Sequence, residues 1–387
     1  MYKQGKFYAI GATGFLYSLI IVDLYRKLEG SNVEIVRNVV YVFFFGLLLV
    51  DMLRTRKFRK MSLIAFFVLL LFGYSVILNP GYSQVYVASI FLFISRLWPA
   101  YYIGRYTQNW EMVSKCILLF SPISLAYAIC LFVVPDISGG DAYATIASNL
   151  VFVSLISLLA SFLYKKMWGL PIAITCLVPV FFYGTRAFFL GVIISLFLAY
   201  VINSNRVSQG KRIFLLSTLI FVGILFLAAG DTIFDQLYQW FPDSRTLKMM
   251  ATGDMMDDSN RSLFYDRICS HLNEEPLEML GLIGDRIYLS PSYATTQVIL
   301  SQFSHNCCLE LCMDFGVPVG LFLNFIFFRR LLLALKSSFV VQNSINYIYV
   351  MVLGASFVNM MVSASFMGDY AIWLLFGLAY AIKVKRN

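Results

Sequence analysis

MSLIAFFVLLLFGYSVIL, residues Met61–Leu78, decides the fold. No charged side chain interrupts it, and its apolar residues follow one another without the alternation of a half-buried strand, so it reads as a helix apolar on every face. At about 1.5 Å per residue it approaches the ~30 Å hydrocarbon core of a bilayer. Val39–Val50 and Ile213–Ala229 are further runs of this kind. Over all 387 residues, 60% are apolar and 13% charged, and the mean hydropathy is +0.76. A water-soluble domain of this size could not hide so much apolar surface, and in lipid only helices or closed barrels satisfy the backbone. The chain is therefore expected to be an all-α polytopic membrane protein, with the lipid bilayer as its first partner.

Twelve spans are expected, near 7–22, 35–50, 61–78, 84–103, 115–134, 144–164, 168–183, 187–202, 213–229, 306–328, 344–362 and 370–384. An even number puts both termini on one side, and the charge asymmetry says which. Of the 30 Lys and Arg residues, twenty fall in the segments that are inside if the N-terminus is inside and nine in the outer ones; Arg96 alone falls within a span. Lys and Arg accumulate in cytoplasmic loops, so both termini are expected in the cytoplasm. The net charge of +9 is then mostly a topology signal and calls for no nucleic-acid partner. Two lysines precede the first span as in a signal peptide, but no small-residue cleavage site follows, so an uncleaved anchor is expected. The organisation is spans one to nine over 1–229, a large outer loop over 230–304, and spans ten to twelve over 305–387.

The outer loop holds more acidic than basic residues, so it is no general anion collector: arginines there must act at a specific, inward-facing site. Ser259–Glu275 reads as an amphipathic helix, with Leu263, Ile268 and Leu272 near helical spacing and Pro276 to stop it. Arg261 and Arg267 on it are six residues apart and face directions about 120° apart. Asp254, Asp257 and Asp258 are a candidate cation group set against the simpler reading of a solvated loop. Cysteines give no disulfide framework, since Cys269 is the only one in the loop. His305, Cys308 and Cys312 have one-face helical spacing but lack the further ligand pair of a closed zinc site, so no metal is expected.

Ser304-His305-Asn306 stands where the loop meets the tenth span. With Ser304 as N-cap, His305 would sit over a helix N-terminus, which disfavours a cation and keeps the imidazole neutral, as a general base requires. The plainer reading is an interfacial histidine with a satisfied hydrogen bond. Arg186 lies in nearly unbroken apolar sequence, Pro179–Leu190, at an outer turn where the positive-inside tendency opposes a cation. Its planar fork suits a phosphate, and pairing with a loop carboxylate is the alternative. Arg96, deeper in the membrane, poses the same choice between an internal ion pair, snorkelling and a lipid-diphosphate contact.

Taken in order, Gly184-Thr185-Arg186 between two apolar spans, a further span, a large loop with Arg261 before Pro276–Gly281, and Ser304–Gly320 with its Ser-His-Asn and Phe-Gly-Val-Pro-Val-Gly resemble the O-antigen polymerase and O-antigen ligase superfamily. The resemblance covers about Leu177–Leu323. It implies a membrane-embedded glycosyltransferase of the inner membrane, acting at its periplasmic face on an undecaprenyl-diphosphate-linked oligosaccharide without a cofactor, with a chain-length regulator (copolymerase) as a further partner. In that chemistry cations stabilise the leaving diphosphate and a base takes the acceptor proton. Arg186 and Arg261 would fill the first role, helped by Arg267, Arg286 and Arg96. His305 would fill the second, with Asn306 orienting it or binding sugar hydroxyls. Polymerase is preferred to ligase because the chain's length and motif spacing suit the more divergent polymerases. A lipid-linked sugar flippase is the alternative from another class; it would need ionisable groups or broken helices near mid-membrane.

Overall fold

Apolar runs become helices because a backbone in lipid has no other partner for its N–H and C=O groups. In the computed structural model, which describes residues 5–29, 33–133, 140–183, 186–203, 235–240, 247–248, 259–291, 294–341, 343–362 and 364–383, the regular elements are helical and no strand occurs among the described residues. Seven helices among these are long and apolar enough to cross a membrane: Lys6–Leu28, Ile35–Arg54, Phe58–Leu78, Pro80–Tyr106, Trp110–Leu131, Val317–Val340 and Ser344–Val362. Shorter apolar helices fill Asn149–Tyr164, Gly169–Phe182, Leu190–Ile202 and Tyr370–Ala381. The run Ile213–Ala229 and the Asp254, Asp257, Asp258 group lie outside the described residues.

The N-terminal helices are α1 (Lys6–Glu29), α2 (Val33–Arg54), α3 (Phe58–Leu78), α4 (Ser83–Leu92), α5 (Trp98–Tyr106), α6 (Trp110–Val133), α7 (Gly140–Tyr164), α8 (Gly169–Tyr183) and α9 (Arg186–Asn203). After the loop come α10 (Ser259–Glu274), α11 (Gly284–Leu289), α12 (Thr296–Ser301), α13 (Cys307–Phe315), α14 (Val317–Val340), α15 (Ser344–Val362) and α16 (Tyr370–Ala381). Helices α1 and α15 are central, each with 72% of its most apolar window buried, against 17% for α3. Leu63, Phe66, Phe67 and Leu70 on α3, and Leu321, Phe322 and Phe325 on α14, are exposed and form the surface a bilayer would cover.

A close crossing joins α5 to α16. A Cβ on Gly104 would strike the Leu374 carbonyl oxygen, and one on Gly377 that of Tyr101, so glycine on both helices lets the backbones touch. Near this crossing Arg105 donates to Tyr380 O, and Arg330 donates to Ala379 O and, at 2.8 Å, to Ile382 O. These carbonyls end α16 and have no partner within the helix, so two arginines complete its last turn.

Two spans depart from the expected continuous helices. Near 84–103 a π turn, Phe93–Leu97, separates α4 from α5 and carries Arg96. Pro99 follows, which offers no N–H and crowds the carbonyl four residues back; a wider turn accommodates it. Near 306–328 the chain breaks at Gly316, φ 75°, into α13 and α14, with Pro318 in the first turn of α14. The break is filled by Pro276–Gly281: Val317 N donates to Pro276 O at 2.8 Å and Gly281 N to Asp314 O at 2.9 Å. A side chain at residue 316 would crowd the carbonyl oxygens of Leu277 and Glu278 as well as strain the backbone.

Candidate functional site

A cavity of about 1010 Å³ opens at one end of the helices. Its wall takes Asp23 and Arg26 from the end of α1, Arg37 from the start of α2, Arg96 from the π turn, Arg286 from α11, and Ser365 and Asp369 from the connection between α15 and α16. Apart from Arg96, which lies within a candidate span, these residues sit at helix ends or connections that the charge asymmetry leads one to expect on a common side. Four guanidinium groups against two carboxylates leave the wall with an excess of positive charge. Phe91, Phe188, Phe303 and Tyr370 add aromatic surface.

Each charge is held differently. Arg26 donates to Asp23 at 2.9 Å, and Asp23 also accepts from Asn149 at 3.3 Å and Tyr127 at 3.4 Å. Asp369 accepts from Asn359 at 2.9 Å and from Ala371 N at 2.8 Å, capping α16. Arg286 is buried; it donates to Leu300 O at 2.9 Å and to Ser365 Oγ at 2.7 Å, and lies 5.8 Å from the Phe303 ring. The Ser365 hydroxyl in turn donates a hydrogen bond to Glu310 Oε1 at 2.7 Å, which links the cavity wall to a buried acidic group.

That group comprises Asp285, Glu310 and Asp314, each offering an oxygen within 4.8 Å of the others. It is the grouping of metal-ligand type found among the described residues. Most of its oxygens receive donors: Asp314 takes Ile283 N and Asp285 N, Asp285 Oδ2 takes Ser304 N, and Glu310 takes Met367 N besides Ser365, while Asp285 Oδ1 is buried with no donor among the described residues. Burial, with Asp285 beside it, pushes the Glu310 carboxyl up to about 7. Asp314 is driven well above the usual carboxylate range by burial and by Asp285 and Glu310, and Asp285 is raised by burial against the opposing pull of Arg286. Shared protons relieve the repulsion among the three.

His305 stands one residue before the cap of α13, half-buried, with φ 54°. Its ring lies 4.1 Å from that of Phe303, so it is one aromatic side chain behind the cavity wall, and it stacks on Phe264 of α10 at 6.3 Å. The cap of α13 is Asn306 rather than Ser304: the Asn306 side chain accepts from Cys308 N at 2.8 Å and Leu309 N at 3.3 Å, and its backbone has the extended conformation that a cap needs. Ser304 instead donates to Asn306 O at 3.0 Å. The left-handed turn at His305 also removes the helical register that would have aligned it with Cys308 and Cys312.

The residues expected to form the site are therefore distributed as follows. Arg96 and Arg286 line one cavity, and His305 adjoins it through Phe303. Arg186 is the first residue of α9, two before the lining residue Phe188, and Arg261 is one helical turn before Phe264 on α10; both side chains lie outside the described residues. Arg267 donates to Tyr288 O at 3.0 Å and Leu289 O at 3.3 Å, which ties α10 to the end of α11. Asn306 donates to Met361 O at 3.0 Å besides its capping bonds. Sequence reasoning missed Asp23, Arg26, Arg37 and Asp369; the one signal for them was ionisable residues at the ends of apolar spans. The chain matches no family description, no curated protein and no solved structure.

Proposed function

We propose that the protein is a surface-polysaccharide polymerase, a metal-independent membrane glycosyltransferase that moves an undecaprenyl-diphosphate-linked glycan onto a hydroxyl of an incoming lipid-linked repeat unit. In this reading the chain spans the bacterial inner membrane twelve times, both termini are cytoplasmic, and 230–304 is a periplasmic loop. One observation carries it: a cavity with surplus guanidinium charge, walled by the helix ends that the charge asymmetry assigns outside, has a histidine one ring behind its wall.

The chemistry follows from that arrangement. The acceptor oxygen attacks the anomeric carbon, the bond from that carbon to the diphosphate oxygen breaks, and the diphosphate leaves with the electron pair. Arginines facing the leaving group lower the cost of its developing charge, most of all where water is excluded. His305 accepts the hydroxyl proton, with Arg186 and Arg261 on the leaving group as in the superfamily the sequence resembles. Aromatic side chains in the cavity supply faces for pyranose rings. Deletion of the gene is expected to leave lipid-linked single repeats uncapped by longer chains. Accumulation of free long polymer instead would point to a ligase, and accumulation of repeats facing the cytoplasm to a flippase.

A further inference from the structure

Helix α2 begins near the cavity, where Arg37 lines the wall, and ends at the opposite side of the molecule in a basic turn. There Arg54, Arg56, Lys57, Arg59 and Lys60 put five cations into seven residues, whereas each other segment expected inside carries two or three. Those smaller groups give the same orientation signal, so the excess at this turn calls for a second cause.

The turn is firmly built. Arg56, with φ 55°, closes α2 in the position where glycine is usual: Arg56 N donates to Leu53 O at 3.1 Å and Lys57 N to Met52 O at 2.9 Å. Left-handed strain is thus tolerated to display a charged side chain where glycine would fit freely. Arg59 and Lys60 follow in the first turn of α3, a helix end that disfavours cations, and no acidic residue shares that turn. Two of the five have local roles, Arg54 at the C-terminal end of α2 and Lys57 over the Tyr106 ring at 5.1 Å. Arg56, Arg59 and Lys60 are exposed, and none has an ion-pair partner among the described residues. Nearby carboxylates are engaged elsewhere: Asp51 is buried and accepts from Tyr102 at 2.6 Å, and Glu111 pairs with Lys115 at 2.6 Å.

The patch leads directly into lipid-facing surface. At about 100° per residue, Leu63, Phe66 and Leu70 lie within about 40° of Arg59 around α3, and all three are exposed. A cationic head above an apolar stripe complements a phospholipid, with phosphate oxygens on the guanidinium and ammonium groups and an acyl chain along the helix. An acidic protein would meet the cations alone; a lipid meets both surfaces at once.

We propose that the α2–α3 turn is a binding site for an anionic phospholipid, its phosphodiester seated on Arg56, Arg59 and Lys60 and an acyl chain on Leu63, Phe66 and Leu70. The site lies away from the cavity and is independent of the reaction proposed above.

The test is lipid retention by the full chain, read by native mass spectrometry after equilibration with equal amounts of phosphatidylglycerol and phosphatidylcholine, together with melting temperature in nanodiscs of each lipid. The wild type is expected to retain phosphatidylglycerol in preference and to melt higher in it. Each cation removed is expected to weaken the preference by about fivefold, so Arg56→Gln, Arg59→Gln and Lys60→Gln together should weaken it by about 100-fold. In phosphatidylcholine this triple variant is expected to melt as the wild type does, which separates lost binding from lost folding. Lys165→Gln with Lys166→Gln removes two exposed cations from another turn and is expected to keep the preference. Equal retention of both lipids by the wild type, an unchanged preference in the triple variant, or an equal loss in the Lys165 and Lys166 variant would each overturn the proposal. Capture of poly-glutamate by the wild type but not by the triple variant, with no preference between the lipids, would assign the patch to an acidic protein instead.

Discussion

Arginines at the two ends of this molecule are the same residue put to opposite uses. At one end Arg105 and Arg330 point into the last carbonyls of α16, and their donors are consumed in finishing a helix. At the other, Arg26, Arg37, Arg96 and Arg286 face a large cavity, and Arg96 has no acceptor among the described residues. Composition does not distinguish the two groups. What separates Arg105 and Arg330 from Arg96 is whether backbone carbonyls are within reach, and that is set by where the helices end; Arg286, at the cavity end, also reaches one, that of Leu300. The lesson is that an arginine in an apolar chain becomes informative only when its donors are traced.

Three perturbations sharpen the contrast. The largest expected effect is on chemistry at the cavity end: His305→Ala should lower glycan transfer by about 10²- to 10⁴-fold, the usual range for loss of a positioned base, with melting unchanged. Transfer at the wild-type rate would remove His305 from the mechanism. At the opposite end Arg330→Ala should leave cavity binding of farnesyl diphosphate, a short lipid diphosphate, intact and destabilise the fold by about 1–3 kcal/mol, because carbonyls that end α16 lose a charged donor. Thermal melts in nanodiscs measure this, and a binding defect without a stability defect would erase the distinction between the ends.

The smallest expected effect concerns Glu310, behind the cavity wall. Its folded value, about 7, lies above its ordinary value near 4.5, so the folded state holds the proton more tightly than the unfolded chain. The resulting stabilisation is complete below about 4.5 and is lost as the pH rises through 7. Melting temperature should fall between pH 5.5 and 8, and Glu310→Gln should flatten that slope. A melting temperature that climbs over this interval, or a slope unchanged in the variant, would mean that Glu310 is ionised in the fold.

Much of the architecture could be read before any coordinates. Met61–Leu78 is one uninterrupted helix, and Ser259–Glu274 ends one residue before the Glu275-Pro276 boundary that stops it. Where reading failed, a local backbone preference overrode hydropathy. An apolar average through 306–328 hides the Gly316-Val317-Pro318 break, although glycine followed by proline is its written signal. The π turn at Phe93–Leu97 has no such signal beyond Pro99. For the site, Arg96 was legible as a cation within a span, and Arg286 only as a helper that the resemblance implied. Arg26 and Arg37 were absorbed into the charge asymmetry, and Asp23 and Asp369 looked like ordinary span boundaries, because joining α1, α4 and α16 around one cavity is tertiary information. Asn306 carried a functional expectation, yet it caps α13 and ties it to α15.

The central claim is that the cavity end works on lipid-diphosphate glycans without a metal. Its most direct test is the purified chain in nanodiscs, supplied with a polyprenyl-diphosphate-linked repeat unit and excess chelator, with products resolved by size. The account predicts a ladder of lengthening glycans from the wild type and from Arg330→Lys, and none from His305→Ala. A ladder from His305→Ala, or one abolished by the chelator in the wild type, would contradict it.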